Sequence, residues 1–191
     1  MNDPVPKKSL GQHWLNDPAS LQAMCDAAEL ITDDVVLEIG PGLGTLTTLL
    51  IDQAKEVVAV EFDDYLAKAL PRRITSASLT VVNQDILSFD YTSLPPDYKV
   101  VANIPYYLTS NLIRVLSETP NQPSVAVLLV QKEVAQRVAA APGDMSLLSV
   151  TAQFYWQTGL GPIVLAELFT PPPKVDSQVL ILVRRPQTLF G

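Results

Sequence analysis

Cysteine is nearly missing from this chain. Cys25 is the one cysteine in 191 residues, so no internal disulfide can form and no cysteine-based metal spacing exists. With Leu21, Met24 and Ala28 at helical spacing around it, Cys25 reads as a core thiol. Long apolar runs are missing too. Hydrophobic residues make up 48% of the chain, yet no uninterrupted stretch approaches the ~20 residues that cross a bilayer. The opening residues 1–8 carry no apolar core, which excludes a signal peptide. There is no internal repeat and no low-complexity linker. What is left is one domain with a sizeable core, expected in the cytoplasm, as a monomer and without a metal.

Charge is sparse and unevenly placed. The net charge of −7 argues against indiscriminate nucleic-acid binding. Residues 26–64 hold ten acids against Lys55 alone, whereas residues 99–191 hold seven bases and five acids. A polyanion could therefore approach from the distal side only.

Short β-branched runs alternate with helical patterns. Asp17-Pro18 caps a helix running to about Leu30. Strands are expected at Val35–Ile39, Val57–Glu61, Leu79–Asn83, Val100–Asn103 and Val125–Val130. Helices are expected at Thr45–Gln53, Asp63–Leu70, Ser110–Glu118 and Lys132–Ala140, with Pro71 ending or kinking the second of these. The rhythm predicts an α/β fold, a parallel sheet with helices on both faces. It breaks in the last fifty or so residues, where a helix at Ser146–Trp156 precedes strands at Ile163–Leu168 and Val179–Val183. These two strands suit an antiparallel hairpin on the sheet edge. A second βαβαβ half, as a dehydrogenase would carry, has no room.

Chemistry concentrates at strand ends. Gly40, Gly42 and Gly44 form a G-x-G-x-G turn between a strand and a helix, where backbone can pass close under a ligand. Glu38 just before it disfavours a polyphosphate and suits an aminoacyl nucleoside such as S-adenosylmethionine. Glu61, seventeen residues past Gly44, can accept both hydroxyls of a non-phosphorylated ribose. Asp85 is placed for the exocyclic amine of a cofactor adenine, with Ile86 against the ring. Asn103-Ile104-Pro105-Tyr106 is the most specific signal for a substrate. An adenine amine is a poor nucleophile because its lone pair is delocalised into the ring. The Asn103 side-chain oxygen and the Ile104 carbonyl can accept its two N–H bonds and draw the nitrogen toward tetrahedral geometry. Pro105 biases Ile104 to an extended conformation, and Tyr106 can stack on an extruded base.

These motifs resemble those of the ribosomal RNA adenine dimethylases. Residues 8–15 (KSLGQHWL) resemble that family's N-terminal cofactor lid, residues 38–44 its first motif, and residues 103–106 its catalytic loop. Residues 131–137 and 169–177 match two further family segments, so the resemblance spans the chain in family order. It implies a Rossmann-like, seven-stranded, mostly parallel sheet and one catalytic domain over residues 1–191, with a lid at 1–16. It further implies S-adenosyl-L-methionine held by Gln12, Leu15, Gly40, Gly42, Glu61, Asp85, Ile86 and Asn103. Asn103, Pro105 and Tyr106 would serve transfer, with Phe169 facing Tyr106 across the flipped adenine. His13 is given no catalytic role.

The implied reaction is N6,N6-dimethylation of two adjacent adenines near the 3′ end of small-subunit ribosomal RNA, within a pre-ribosomal particle. Macrolide-resistance methylation of large-subunit RNA and a non-catalytic assembly factor are the alternatives. Three features depart from the pattern. Trp14 stands where the family usually has Phe, and Ile104 where many members have Leu. The chain also stops at Gly191, where the family normally continues into a small helical RNA-gripping domain.

Overall fold

A computed structural model of the chain describes residues 4–187. Met1–Asp3 of the expected lid, and the final residues 188–191, lie outside the described part. In chain order the elements are β1 (Trp14–Leu15), α1 (Pro18–Ala27), β2 (Val35–Ile39), α2 (Thr45–Gln53), β3 (Glu56–Glu61), α3 (Asp64–Arg73), β4 (Leu79–Asn83), β5 (Lys99–Asn103), α4 (Thr109–Glu118), β6 (Val125–Gln131), α5 (Lys132–Val138), α6 (Leu147–Tyr155), β7 (Trp156–Val164), β8 (Phe169–Thr170) and β9 (Ser177–Arg184). The main sheet has seven strands in the order β4-β3-β2-β5-β6-β9-β7. Strands β2 to β6 pair in parallel, and β9 runs antiparallel between β6 and β7. The expected hairpin at the sheet edge is thus present.

Period-two burial explains the layers. Along β6, Ala126, Leu128 and Val130 face one core, while Val127 and Leu129 face the other. The first core is closed by α4, α5 and α6 through Leu112, Leu116, Val138 and Ala152. The second is closed by α1 and α2 through Leu21, Met24, Cys25, Leu46 and Leu50. Cys25 is fully buried there, as its spacing implied. The chain steps from β2 outward to β3 and β4, then returns to β5 on the other side of β2. That reversal opens a crevice beyond the carboxyl ends of β2 and β5, the usual ligand position of such sheets.

Some boundaries differ from expectation, each for a local reason. The first helix stops at Ala27 because Glu29 takes a left-handed conformation (φ 49°). Pro71 lies inside α3, which continues to Arg73. In a last turn, a proline forfeits only one intrahelical bond. The strand expected at Ile163–Leu168 is instead β7 at Trp156–Val164, and residues 166–168 form a 3-10 turn. Gly159, Gly161 and Pro162 look like breakers, but β7 is an edge strand with a register shift between Leu160 and Ile163. Gly161 is required there, since a Cβ would meet the Val179 Cβ at 2.9 Å. The short β1–β8 ladder, Trp14 opposite Thr170 and Leu15 opposite Phe169, was not legible beforehand.

Candidate active site

The glycine turn opens the site. Gly40, Gly42 and Gly44 all have positive φ, at 66°, 57° and 87°. Gly44 caps α2, and a Cβ on it would lie 2.6 Å from Ile74 Cδ1 and 2.7 Å from Leu70 Cδ1. Only glycine satisfies both the conformation and the space. The turn therefore lies close over the end of β3, and the Gly42 N–H donates to Glu61 Oε2 at 3.1 Å.

Three acids shape the electrostatics. Glu61 also accepts the Asp63 N–H at 2.9 Å. Burial raises its pKa, and the two amides only partly offset that. Glu38 is wholly buried, and the Thr47 hydroxyl donates to it at 2.6 Å. Burial pushes its carboxyl up to about 8 against the Thr47 bond, with repulsion from Glu61 adding to the rise. Burial also acts on Asp63, but the Lys7 ammonium and the Leu66 and Tyr65 amides hold it below the usual carboxylate range. Asp85 caps a short 3-10 turn by accepting the Leu87 N–H at 2.9 Å.

The N-terminal segment straps across the crevice. Lys7 pairs with Asp63 at 2.6 Å, and Gln12 Nε2 donates to the same carboxylate at 3.4 Å. Thr45 Oγ1 donates to the Leu15 carbonyl at 3.1 Å, and β1 pairs with β8 beyond it. Asn103 Nδ2 donates to the His13 carbonyl at 3.3 Å. That bond orients the amide and leaves Oδ1 without a partner among the described residues. Tyr106 shares a 2.7 Å hydrogen bond with Ser177 Oγ, and burial raises its hydroxyl pKa.

One cavity of about 330 Å³ joins these parts. Gln12, Leu15, Gly40, Gly42, Glu61, Asp85, Ile86, Asn103, Pro105, Tyr106 and Phe169 all line it. Other residues there were missed or set aside. His13 lies nearly parallel to Tyr106, ring centroids 6.1 Å apart, and its Nδ1–H donates to the Pro171 carbonyl at 2.7 Å. Phe169 is buried in the second core cluster beside Leu15. Asp63, Thr47 and Ser177 orient their neighbours from positions that carry no sequence signal of that role. Among the described residues no group of three His, Cys, Asp or Glu side chains could hold a metal ion. No helix among them is long and apolar enough to cross a membrane.

A parallel sheet with a reversal beside β2, a glycine turn and acids on successive strand ends defines a Rossmann-like methyltransferase. The family of ribosomal RNA adenine dimethylases matches residues 5–190, and the chain belongs to that family. A protein named ribosomal RNA small subunit methyltransferase A from Dehalococcoides mccartyi is 40% identical over 178 residues, covering 91% of this chain and 61% of its own length. The protein of that name from Streptococcus gordonii is 41% identical, covering 95% of this chain and 66% of its own. The chain thus spans about three fifths to two thirds of the length of these curated relatives.

Among solved structures, a dimethyladenosine transferase from Plasmodium falciparum superposes with a TM-score of 0.82 at 31% identity, covering 91% of this chain and 64% of that one. The 23S rRNA methyltransferase ErmE superposes at 0.85 with 34% identity, covering 93% and 72%. Methyltransferases of this family use S-adenosyl-L-methionine. The cavity fits that group: Glu61 retains lone pairs after its two amide bonds, and Asp85 stands at the next strand end.

Proposed function

We propose that the chain is the catalytic part of an S-adenosylmethionine-dependent enzyme that dimethylates N6 of two adjacent adenines near the 3′ end of small-subunit ribosomal RNA. It would act as a cytoplasmic monomer on a pre-ribosomal particle and contribute to small-subunit biogenesis. The observation that carries this reading is the Asn103 amide, fixed through Nδ2 with its Oδ1 open to the cavity that Glu61 and Asp85 also line. The small-subunit relatives at 40–41% identity favour that RNA over the large-subunit RNA. The likeness to ErmE keeps the latter as the second reading.

When bound, S-adenosylmethionine supplies an electrophilic methyl group on its sulfonium. Glu61 accepts the ribose hydroxyls, Asp85 takes the adenine amine of the cofactor, and Ile86 covers its ring. Gln12 and Leu15, on the strap, close the methionine side. On the substrate side, Tyr106 stacks on the extruded base and Phe169 supplies an apolar wall. Asn103 Oδ1 and the Ile104 carbonyl accept the two N–H bonds of the target amine, which localises the nitrogen lone pair toward the methyl group. No general base is needed before transfer, because the methylated amine sheds its proton readily.

The test is radiolabelled methyl transfer to unmethylated small-subunit particles and to naked large-subunit RNA, with the labelled bases mapped by primer extension. Paired labelled adenines in the small-subunit 3′ region are expected, and label on large-subunit RNA alone would reverse the choice. Asn103→Ala should abolish transfer while cofactor binding, read by calorimetry, stays within a few-fold of the parent. Equal loss of both would remove the orienting role given to Asn103.

A further inference from the structure

A second hollow, of about 390 Å³ and more open to solvent, lies on the other side of Tyr106 from the cofactor end of the site. Lys132 at the start of α5 and Lys174 in the proline loop line it, with Gln136 and Val175 between them. Most of the described bases are committed elsewhere. Lys7, Lys68, Lys99, Arg114, Arg137 and Arg184 hold ion pairs, and Arg185 donates to two main-chain carbonyls. Lys132 and Lys174 pair with no carboxylate among the described residues. Two acids share the hollow, and both are engaged: Glu133 pairs with Arg137 at 2.6 Å, and Asp176 Oδ1 accepts the Ala166 N–H at 2.9 Å.

The hollow is joined to the cavity by short, fixed connections. The Lys132 N–H donates to the Asp176 carbonyl at 3.0 Å, and Ser177 next to it stands opposite Gln131 in the β6–β9 ladder. Ser177 Oγ in turn holds the Tyr106 hydroxyl at 2.7 Å. A strand whose base lies against Tyr106 must carry its sugar-phosphate backbone past this wall. On a chain of net charge −7, two uncommitted ammonium groups at that position are a local exception.

We propose that Lys132 and Lys174 hold a backbone phosphate of the RNA strand next to the base that enters the cavity. The pair thereby sets the register in which adenines are presented. This rests on the reading of the chain as an RNA methyltransferase. Phosphate contacts position a strand without reading its sequence, so the expected signature is electrostatic and not base-specific.

The test compares the parent chain with the double variant Lys132→Gln/Lys174→Gln and with Lys55→Gln, which lies at the opposite end of the strands. Binding of a fluorescent RNA hairpin with two adjacent unpaired adenines is titrated between about 50 and 200 mM salt. In the double variant the slope of log affinity against log salt should fall by roughly 0.7–0.9 per lysine lost. KM for RNA should rise, with kcat at saturating RNA and cofactor affinity unchanged. Lys55→Gln should leave all four quantities at parent values. A parent-like slope in the double variant, or a loss confined to thermal stability, would overturn the phosphate site while leaving the enzyme reading intact. Failure of the parent chain itself to bind RNA or transfer methyl groups would overturn both.

Discussion

Glu38 and Glu61 sit on adjacent strands within one electrostatic field, and each has its own consequence. Glu38 titrates at about 8 when folded and near its ordinary 4.5 when unfolded, so the folded state binds its proton more tightly. Its contribution to stability is full below about 4.5 and is lost as pH rises through about 8. Glu38→Gln keeps an acceptor for Thr47 and removes the titration. Urea unfolding at pH 5, 7 and 9 should show the parent losing on the order of a few kcal/mol that the variant keeps. Equally steep curves would contradict the burial argument. Glu61 is raised in the same direction, so its ribose-accepting form is depleted as pH falls through that raised value. Glu61→Gln should weaken S-adenosylmethionine binding by about 1–3 kcal/mol and flatten its acid-side pH dependence, both measurable by calorimetry.

At the scale of elements, the N-terminal strap and α3 depend on one side chain. Asp63 caps α3 by accepting the Tyr65 and Leu66 amides, while its other oxygen holds Lys7 and Gln12. Asp63→Ala should cost about 1 kcal/mol through the lost cap and speed amide exchange both in α3 and at residues 7–13. Faster exchange in α3 alone would mean the strap is held by its other ties, at Thr45, Asn103 and the β1–β8 ladder. Pairwise convergence of this kind was hard to read in advance. Asp63 carries the sequence signal of a helix cap, and nothing in the order of residues shows that Lys7 and Gln12 reach it from more than fifty positions away. Edge strand β7 was misplaced for a related reason, because its glycines signal a loop until Val179 is seen packed against Gly161.

The whole molecule is held by one sheet shared between two cores. Leu128 and Leu129 are neighbours on β6 and fully buried on opposite faces. Leu128→Ala and Leu129→Ala should each cost about 2–5 kcal/mol, and each should leave a single calorimetric transition because the strand belongs to both cores. Two separated transitions would show that the faces melt independently. The same sheet sets the direction of approach for substrate. Its carboxyl ends carry the acids of the cofactor side, and beyond Tyr106 lie the uncommitted lysines.

The sequence by itself determined the α/β class, strands β2 to β6 to within a residue or so, the glycine turn and the residues at the strand ends that line the cavity. These are local properties. Period-two apolar runs, caps and turn glycines act over a few residues and are written in order along the chain. Only the tertiary structure decided that His13 lies against Tyr106, that Ser177 anchors the Tyr106 hydroxyl, and that Glu38 is buried with Thr47 and kept largely protonated at neutral pH. Hydrogen-bond partners far apart in sequence, and the loss of water around a carboxylate, exist only once the two cores have closed on the sheet.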